Sequence, residues 1–182
     1  PVITSPLTAS GIAGQGFSYT MTASGTAPIT FGASGLPAGL AFSGATISGT
    51  PAAAGTNSVT LTATNVAGTD TRTLVLTVTA KPAITSPLTA SGILGQVFAY
   101  TITASGTAPI TLGASGLPAG LTFSGATISG TPLTAGTSNV TLTATNGAGS
   151  DTKLLALTIS AANSPPLVSS FSPPSPAVVA AG

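Results

Sequence analysis

Few side chains in this sequence could take part in chemistry. The 182 residues include no histidine and no cysteine, and the charged side chains are three basic and two acidic ones, Asp70, Arg72, Lys81, Asp151 and Lys153. Acid–base catalysis, nucleophilic catalysis and metal binding need such groups in close clusters. We therefore expect no enzymatic activity, no catalytic residue, no cofactor and no metal site.

The charged residues form two similar patterns, Asp70 with Arg72 and Asp151 with Lys153. On a strand, residues two apart share a face, so each pair either forms a weak surface ion pair worth about 0.5 kcal/mol or lies at a solvated edge. We favour the solvated edge. A net charge of +1 cannot supply the row of phosphate contacts that nucleic-acid binding requires. We expect no nucleic-acid partner.

Apolar residues are frequent but interrupted. The mean hydropathy is +0.58, yet threonine, serine or glycine recurs after every one or two apolar residues. No run approaches the roughly 18 apolar residues of a membrane span, so we expect none. The chain starts at Pro1, as a processed secreted protein or a fragment of a longer protein would.

The sequence contains an internal repeat. Pro1 matches Pro82 and Tyr19 matches Tyr100 at a constant offset of 81 residues without a gap. About three-quarters of the paired positions are identical. We expect two domains, repeat 1 at residues 1–81 and repeat 2 at residues 82–162, each large enough to bury its own core.

Within each repeat the apolar period is two, which predicts half-buried strands. The stretches GFSYTMTAS, SVTLTATN and TRTLVLTVT alternate in this way, with one face formed by Phe17, Tyr19, Met21, Ala23, Val59, Leu61, Ala63, Leu74, Leu76 and Val78. Helix is disfavoured because threonine, valine and isoleucine crowd χ1 and because glycine and proline break helices. The predicted fold is all-β, with two tandem antiparallel immunoglobulin-like β-sandwiches.

The stretch GLPAGLAFSGATISGTP at residues 35–51 recurs at residues 116–132 with one change. Its glycines can adopt positive φ and its prolines fix φ near about −65°. We interpret it as a series of tight reversals whose apolar residues anchor the core. The predicted structural turn residues are Gly35, Pro37, Gly39, Gly49 and Pro51, with Gly116, Pro118, Gly120, Gly130 and Pro132.

Three spaced motifs resemble the bacterial immunoglobulin-like repeat family, a relative of cadherin-like and dystroglycan-like modules. They are a GLP-x-GL turn, an I-S-G-T-P strand end and a V-T-L-T-A-x-N strand, at Gly35–Leu40, Ile47–Pro51 and Val59–Asn65 and again at Gly116–Leu121, Ile128–Pro132 and Val140–Asn146. The resemblance implies a secreted or surface-exposed bacterial protein whose repeats act as spacers, adhesive modules or carbohydrate-associated domains. Between Phe42 and Ile47 this chain lacks the longer, aspartate-bearing turn of the family, which weakens any expectation of calcium.

Three binding sites can be weighed against structural alternatives. Calcium requires about six to eight oxygen ligands, and one aspartate per repeat near an asparagine supplies too few. Tyr19 and Tyr100 alternate in phase with the apolar face, so we expect core residues rather than sugar-stacking platforms. The threonine rows at residues 60–64 and 141–145 space their hydroxyls about 7 Å apart, which suits ice or crystalline glycan. Threonine is also common on solvent-facing strands, and we favour that interpretation.

Only Ala80 and Lys81 connect the last strand of repeat 1, which ends near Thr79, to Pro82. Proline restricts its own φ and the residue before it, so we expect a short, stiff hinge at Ala80, Lys81 and Pro82. Sandwiches joined in this way would form a rod that gains roughly 30–40 Å per domain. Their edge strands would permit strand addition by another subunit and filament assembly.

Residues 163–182 leave the repeat and are rich in proline. PLVSSF resembles the start of repeat 2 when Pro166 is aligned with Pro82, whereas SPPSP and AVVAAG have no counterpart. We interpret this segment either as a connector with the first strand of a truncated third domain or as a donor strand for a neighbouring subunit.

The sequence thus favours a non-enzymatic structural module, a spacer, stalk or fibre-building unit of a secreted or cell-surface bacterial protein. An adhesive or carbohydrate-associated binding module is the first alternative, and a virion decoration domain is the second. The expected partners are neighbouring immunoglobulin-like domains or subunits of the same protein, with a surface glycan as a further candidate. The expected location is extracellular, at the cell surface.

Overall fold

Strands account for all the regular structure in the part of the chain that is described. The computed structural model describes residues 1–162. Repeat 1 contains β1 (Val2–Ile3), β2 (Thr8–Ile12), β3 (Phe17–Thr20), β4 (Ala23–Ser24), β5 (Thr30–Ser34), β6 (Leu40–Ser43), β7 (Thr46–Gly49), β8 (Gly55–Asn65) and β9 (Gly68–Thr79). Repeat 2 contains β10 (Ala83–Ile84), β11 (Thr89–Ile93), β12 (Phe98–Thr101), β13 (Ala104–Ser105), β14 (Thr111–Ser115), β15 (Leu121–Ser124), β16 (Thr127–Gly130), β17 (Gly136–Asn146) and β18 (Gly149–Ser160).

Each repeat is a sandwich of two sheets. In repeat 1 one sheet has the order β2-β9-β8-β5 and the other has the order β3-β7-β6, with β1 paired to β4 at the continuation of β3. Repeat 2 has the equivalent orders β11-β18-β17-β14 and β12-β16-β15, with β10 paired to β13. The predicted all-β class with two tandem sandwiches is confirmed.

One edge pair in each repeat is parallel, namely β2 with β9 and β11 with β18. The pairing arises because the first run of each repeat crosses between sheets, from β1 to β2 and from β10 to β11. Pro6 and Pro87 lie at these crossings. A residue without an N–H disturbs no ladder there, so the crossing costs little backbone hydrogen bonding. The alternation of the sequence did not reveal β2 as a separate strand.

The long hairpin β8–β9 supplies much of the core. Its inward residues Val59, Leu61, Leu74 and Leu76 are completely buried, while Thr60 on the opposite face of β8 is exposed. Residues of the facing sheet complete the core of repeat 1, chiefly Tyr19, Met21 and Ile47. The core of repeat 2 is a separate cluster around Leu142, Leu155, Leu157 and Ile159. The period-two prediction is confirmed for these strands.

The stretch at residues 35–51 is not only a series of reversals. It contains the hairpin of β6 and β7, joined at Gly44, whose φ is +64°. Ile47 of β7 is completely buried, and β7 is the middle strand of the second sheet, so the hairpin is part of the sandwich rather than a surface loop. Four-residue strands flanked by glycine offer too little alternation to be identified from sequence. Likewise, GFSYTMTAS forms two short strands, β3 and β4, instead of one.

Two glycines of this hairpin lie in close backbone contact. Gly39 has φ +89° and Gly49 has φ +137°. A Cβ on Gly39 would overlap the carbonyl oxygen of Thr50, and a Cβ on Gly49 would overlap the carbonyl oxygen of Gly39. The Thr50 N–H donates to the Gly39 carbonyl at 2.9 Å. Glycine is therefore required here for space as well as for φ.

The first strand of each repeat is held by a carboxylate. Asp70 Oδ2 accepts a hydrogen bond from the Ile3 N–H at 2.8 Å and lies 3.2 Å from Arg72 Nε. The Asp70 side chain is 17% exposed, against 47% for Arg72. The predicted solvated edge is therefore wrong for the aspartate, because the sequence does not show that β1 would pass over it. The Ile3 N–H and the Arg72 guanidinium lower the pKa of Asp70.

Repeat 2 has the same arrangement. Asp151 Oδ2 accepts from the Ile84 N–H at 2.8 Å, and Lys153 Nζ lies 3.7 Å from Asp151 Oδ1. Both ion pairs considered from the spacing are therefore present. Because each carboxylate also binds a main-chain N–H, its principal structural role is to fix the first strand against the last one.

Replacement of Gly39 tests the close contact in the hairpin. We expect Gly39→Ala to destabilise repeat 1 by about 3 kcal/mol, because strain at positive φ adds to a backbone overlap. The control is Gly44→Ala, at φ +64° with open space around it, which should cost about 1 kcal/mol. Urea unfolding of both variants measures the difference. Equal losses would show that the overlap is relieved at no cost.

The stability of repeat 1 should fall in acid through Asp70. A carboxyl with a lowered folded-state pKa stabilises the fold above its unfolded pKa, near 3.8, and loses this contribution as pH falls further. We expect Asp70→Asn to reduce the acid-induced fall in thermal unfolding midpoint between pH 5 and about pH 2, relative to the unsubstituted chain. Arg72→Gln should retain most of that fall, because the Ile3 N–H is the larger cause. An unchanged pH profile in Asp70→Asn would contradict this role.

Candidate functional site

The joint between the two repeats is a built site. The backbone of Ala80 makes hydrogen bonds at both of its polar groups. Its N–H donates to Thr107 Oγ1 at 2.7 Å. Its carbonyl accepts from Asn146 Nδ2 at 2.8 Å and from the Thr107 N–H at 3.2 Å. The linker is thus bound to repeat 2 by three hydrogen bonds to one residue.

The Asn146 side chain is positioned by its own turn. This residue ends β17, and its Oδ1 accepts from the Ala148 N–H at 2.9 Å within the turn that leads to β18. Its Nδ2 also donates to the Thr107 carbonyl at 2.8 Å. Asparagine suits this position because the amide can accept at one atom and donate twice at the other. The side chain therefore connects the turn, the loop of Thr107 and the linker.

Glycines let the linker approach repeat 2 closely. A Cβ on Gly106 would lie 2.8 Å from the Lys81 carbonyl oxygen and 2.9 Å from Pro82 Cα. A Cβ on Gly149 would lie 3.4 Å from Lys81 Cε, so the aliphatic part of this lysine extends over the glycine. Pro82 is buried. The three predicted hinge residues thus lie in contact with repeat 2.

A groove of about 360 Å³ separates the repeats beside the linker. It is lined by Ser10, Gly11, Ile12 and Thr79 of repeat 1 and by Gly147 of repeat 2. None of these residues carries a charge, and Gly147 has no side chain to fill the space. The hydrogen bonds described at the joint are therefore those of the linker residue Ala80.

The predicted turn residues lie in and around the β6–β7 hairpin and its equivalent in repeat 2. The six glycines have positive φ, at +75° for Gly35, +89° for Gly39, +137° for Gly49, +77° for Gly116, +90° for Gly120 and +140° for Gly130. Pro37 and Pro118 each accept from a leucine N–H, and Pro51 and Pro132 accept from Gly14 and Gly95. These residues shape the hairpin in each repeat, and none of them makes a hydrogen bond to Ala80 among those described.

The tyrosines are structural, as expected. Tyr19 is 9% exposed, and its hydroxyl donates to the Pro6 carbonyl at 2.6 Å. The hydroxyl also lies 2.9 Å from Ser5 Oγ. The Tyr100 hydroxyl donates to the Pro87 carbonyl at 2.6 Å. Each hydroxyl thus binds the backbone where the first run crosses between sheets, and the Tyr100 ring is half-buried against the core of repeat 2.

The threonine rows lie on the outer face of the four-stranded sheet. In repeat 1, Thr64 pairs with both Thr30 and Thr69 across neighbouring strands. Beside them lies a shallow groove of about 320 Å³ lined by Thr8, Ala9, Ser10, Val75 and Thr77. Repeat 2 has a groove of the same volume lined by Thr89, Ala90, Ser91, Ala156 and Thr158. Both grooves offer hydroxyl and methyl groups without charge.

Metal sites and membrane-spanning helices were also sought among the described residues. Within residues 1–162 no three histidine, cysteine, aspartate or glutamate side chains come together as metal ligands. That same part of the chain contains no helix long and apolar enough to cross a membrane. The predicted connector or donor strand at 163–182 lies outside the described residues.

Sequence reasoning identified the linker but not the residues that hold it. Thr107 and Asn146 were not predicted as parts of the joint. The available signal is the turn sequence Asn-x-Ala-Gly, which follows the long strand in both repeats. An asparagine directly before a two-residue turn commonly binds nearby backbone. Its second contact, to the linker, depends on the fold.

Solved structures with similar folds are tandem immunoglobulin domains. A titin fragment with three immunoglobulin domains, in a Glu-to-Ala variant, matches with a TM-score of 0.63 and 19% identity, covering 86% of this chain and 64% of that one. Immunoglobulin domains 1–4 of Sidekick-1 match with a TM-score of 0.62 and 15% identity, covering 87% of this chain and 48% of that one. Drosophila OTK extracellular domains 3–5 match with a TM-score of 0.60 and 14% identity, covering 86% of this chain and 61% of that one. These likenesses concern the fold.

The chain therefore spans less than two thirds of the length of these neighbours. No curated protein matches it. The family model described as Putative Ig domain matches twice, at residues 1–79 and 81–160. Together the two matches cover most of the chain, in agreement with the two sandwiches and their repeated motifs. The chain belongs to the Putative Ig domain family.

Proposed function

We propose that the chain is a non-enzymatic spacer, a stalk or fibre-building segment of a secreted or cell-surface bacterial protein. The observation that carries this proposal is the bound linker, in which the Ala80 backbone makes three hydrogen bonds to repeat 2. A linker fixed in this way limits bending between neighbouring sandwiches. The chain would then supply distance rather than a reactive site.

The boundaries at residues 1–81 and 82–162 fit this role. The sheets of β1–β9 and those of β10–β18 are separate, and each encloses its own core. Each repeat can therefore be treated as one rigid length, with Ala80, Lys81 and Pro82 as the hinge. At roughly 3.3 Å per strand residue, each repeat adds roughly 30–40 Å of reach.

A carbohydrate-associated or adhesive module is the second candidate. The observation that favours it is the pair of equivalent uncharged grooves on the outer faces of the two repeats. Neutral sugars present hydroxyl and C–H groups, which pair with the threonine, serine and alanine groups of these grooves. Two such sites on one chain would also give avidity toward a repeating glycan.

The rigidity of the joint can be measured directly. The chain has no cysteine, so Ser34→Cys and Ser115→Cys allow spin labels at equivalent exposed positions of the two repeats. We expect a narrow, single-peaked distance distribution between the labels. Asn146→Ala should broaden it, because the linker loses a hydrogen bond worth about 1 kcal/mol.

Asn65→Ala is the matched control for that experiment. Asn65 makes the equivalent contacts inside repeat 1, to the Thr26 carbonyl and the Ala67 N–H, but none to the linker. It should leave the distance distribution unchanged. A broad distribution in the chain with neither asparagine replaced would contradict a spacer of fixed reach.

A glycan array separates the two candidates. The second candidate predicts retention of the two-repeat chain on neutral polysaccharides, and weaker retention after Thr8→Asp together with Thr89→Asp, which place a charge in each outer groove. Thr30→Asp with Thr111→Asp, at equivalent exposed positions of β5 and β14 outside the grooves, controls for charge alone. No retention on any neutral glycan would leave the spacer as the supported function.

A further inference from the structure

Repeat 1 carries, at its N-terminal end, the same groups that hold the linker in repeat 2. We define the N-terminal tip as Thr26, Asn65, Val66 and Ala67, the equivalents of residues 107 and 146–148. In repeat 2 these positions bind the Ala80 backbone. In repeat 1 the Thr26 N–H has no backbone acceptor among residues 1–162. The tip therefore has hydrogen-bonding groups left over for a partner.

The tip is already arranged as the occupied site is. Asn65 Nδ2 donates to the Thr26 carbonyl at 2.8 Å, and Asn65 Oδ1 accepts from the Ala67 N–H at 2.9 Å. The equivalent bonds of Asn146 have the same lengths. A site held in its binding geometry before the partner arrives loses little entropy on binding.

The first residue of repeat 1 lies in the same position as the first residue of repeat 2. A Cβ on Gly25 would lie 2.9 Å from Pro1 Cα, and a Cβ on Gly106 would lie 2.9 Å from Pro82 Cα. Pro1 therefore occupies the place in repeat 1 that Pro82 occupies in repeat 2. A residue joined to Pro1 would reach the tip along the path that Lys81 follows.

Equivalent residues at the N-terminal ends of the two repeats differ in exposure, because the linker and repeat 1 lie against the end of repeat 2. Ala148 is 7% exposed in repeat 2, whereas Ala67 is exposed in repeat 1. Val66 is 91% exposed, an unusual placement for a valine. The equivalent of Val66 is Gly147, which lines the groove between the repeats. The groove beside Gly147 has a volume of about 360 Å³ and includes Ile12 in its lining, which leaves room for a valine at this position.

We propose that the N-terminal tip of repeat 1 is a docking site for the C-terminal end of another repeat of this kind, an inference that rests on the proposed spacer function. The backbone at the Ala80 position of the incoming repeat binds Thr26 and Asn65. Val66 occupies the incoming groove formed by the equivalents of Ser10, Ile12 and Thr79. The tip has no charged residue, so the partner is recognised by backbone hydrogen bonds and shape.

The test adds one repeat to the full chain. A copy of residues 1–81 is placed directly before Pro1, so that its last lysine joins Pro1 as Lys81 joins Pro82. Amide hydrogen exchange is measured at Thr26 of repeat 1 itself, not at the same residue of the added copy, in the original and the extended chains. We expect exchange at Thr26 to slow at least about tenfold in the extended chain, toward the rate of Thr107.

Two variants of the extended chain identify the contacts. Asn65→Ala should return Thr26 exchange toward its rate in the original chain. Val66→Gly keeps the asparagine and gives the tip the glycine of the existing joint, so exchange at Thr26 should stay close to the rate of Thr107. Thr60 lies on an outer sheet face five residues before Asn65 along β8, roughly 17 Å away at about 3.3 Å per strand residue. The control variant Thr60→Ala should leave the exchange rate of Thr26 unchanged. Protection of Thr26 that is insensitive to Asn65→Ala would overturn the proposed contacts.

The outcomes separate this inference from the spacer function. Unchanged Thr26 exchange in the extended chain overturns docking, even if spin labels still report a rigid joint between repeats 1 and 2. Concentration-dependent protection of Thr26 in the original chain would show that the tip binds the end of a separate copy, which supports the docking site and assigns it to contacts between chains. A flexible joint between repeats 1 and 2 contradicts the spacer function instead.

Discussion

The closed core of each repeat is the constraint on which the rest of the structure depends. The inward faces of β8 and β9 place Val59, Leu61, Leu74 and Leu76 out of solvent, and the β6–β7 hairpin closes the core through Ile47. Removing this apolar surface from water is the main stabilising contribution, at roughly 25 cal/mol per Å². Because these residues are used within their own repeat, the repeats meet through their ends.

The chain has few charges and no cysteine, so hydrogen bonds to the backbone stabilise the fold together with packing of the core. The two carboxylates of the chain illustrate this, since Asp70 and Asp151 each accept a hydrogen bond from a main-chain N–H of the first strand. Tyr19 and Tyr100 act similarly through their hydroxyls, which bind the carbonyls where that run changes sheets. The few polar groups that could have formed a reactive site are used to hold strands in place.

The joint follows the same principle. Three hydrogen bonds hold the Ala80 backbone, and two of them come from the side chains of Thr107 and Asn146. Gly106 and Gly149 leave room for the linker to lie close to repeat 2. The same groups recur at the exposed end of repeat 1. A repeated sequence therefore gives each module an end that can hold a linker, whether or not a neighbour is attached.

The sequence by itself determined the strand period, the two-repeat organisation, the core faces and the location of the linker, because these depend on local alternation and on self-similarity. Only the tertiary structure decided that β2 would run parallel to β9, that residues 40–49 would form a hairpin of the second sheet, and that Asp70 would bind β1. It also decided that Asn146 would bind Ala80. The partners in these last two contacts lie 67 and 66 residues apart, and no local pattern encodes which distant backbone groups will come within reach once the sheets have packed.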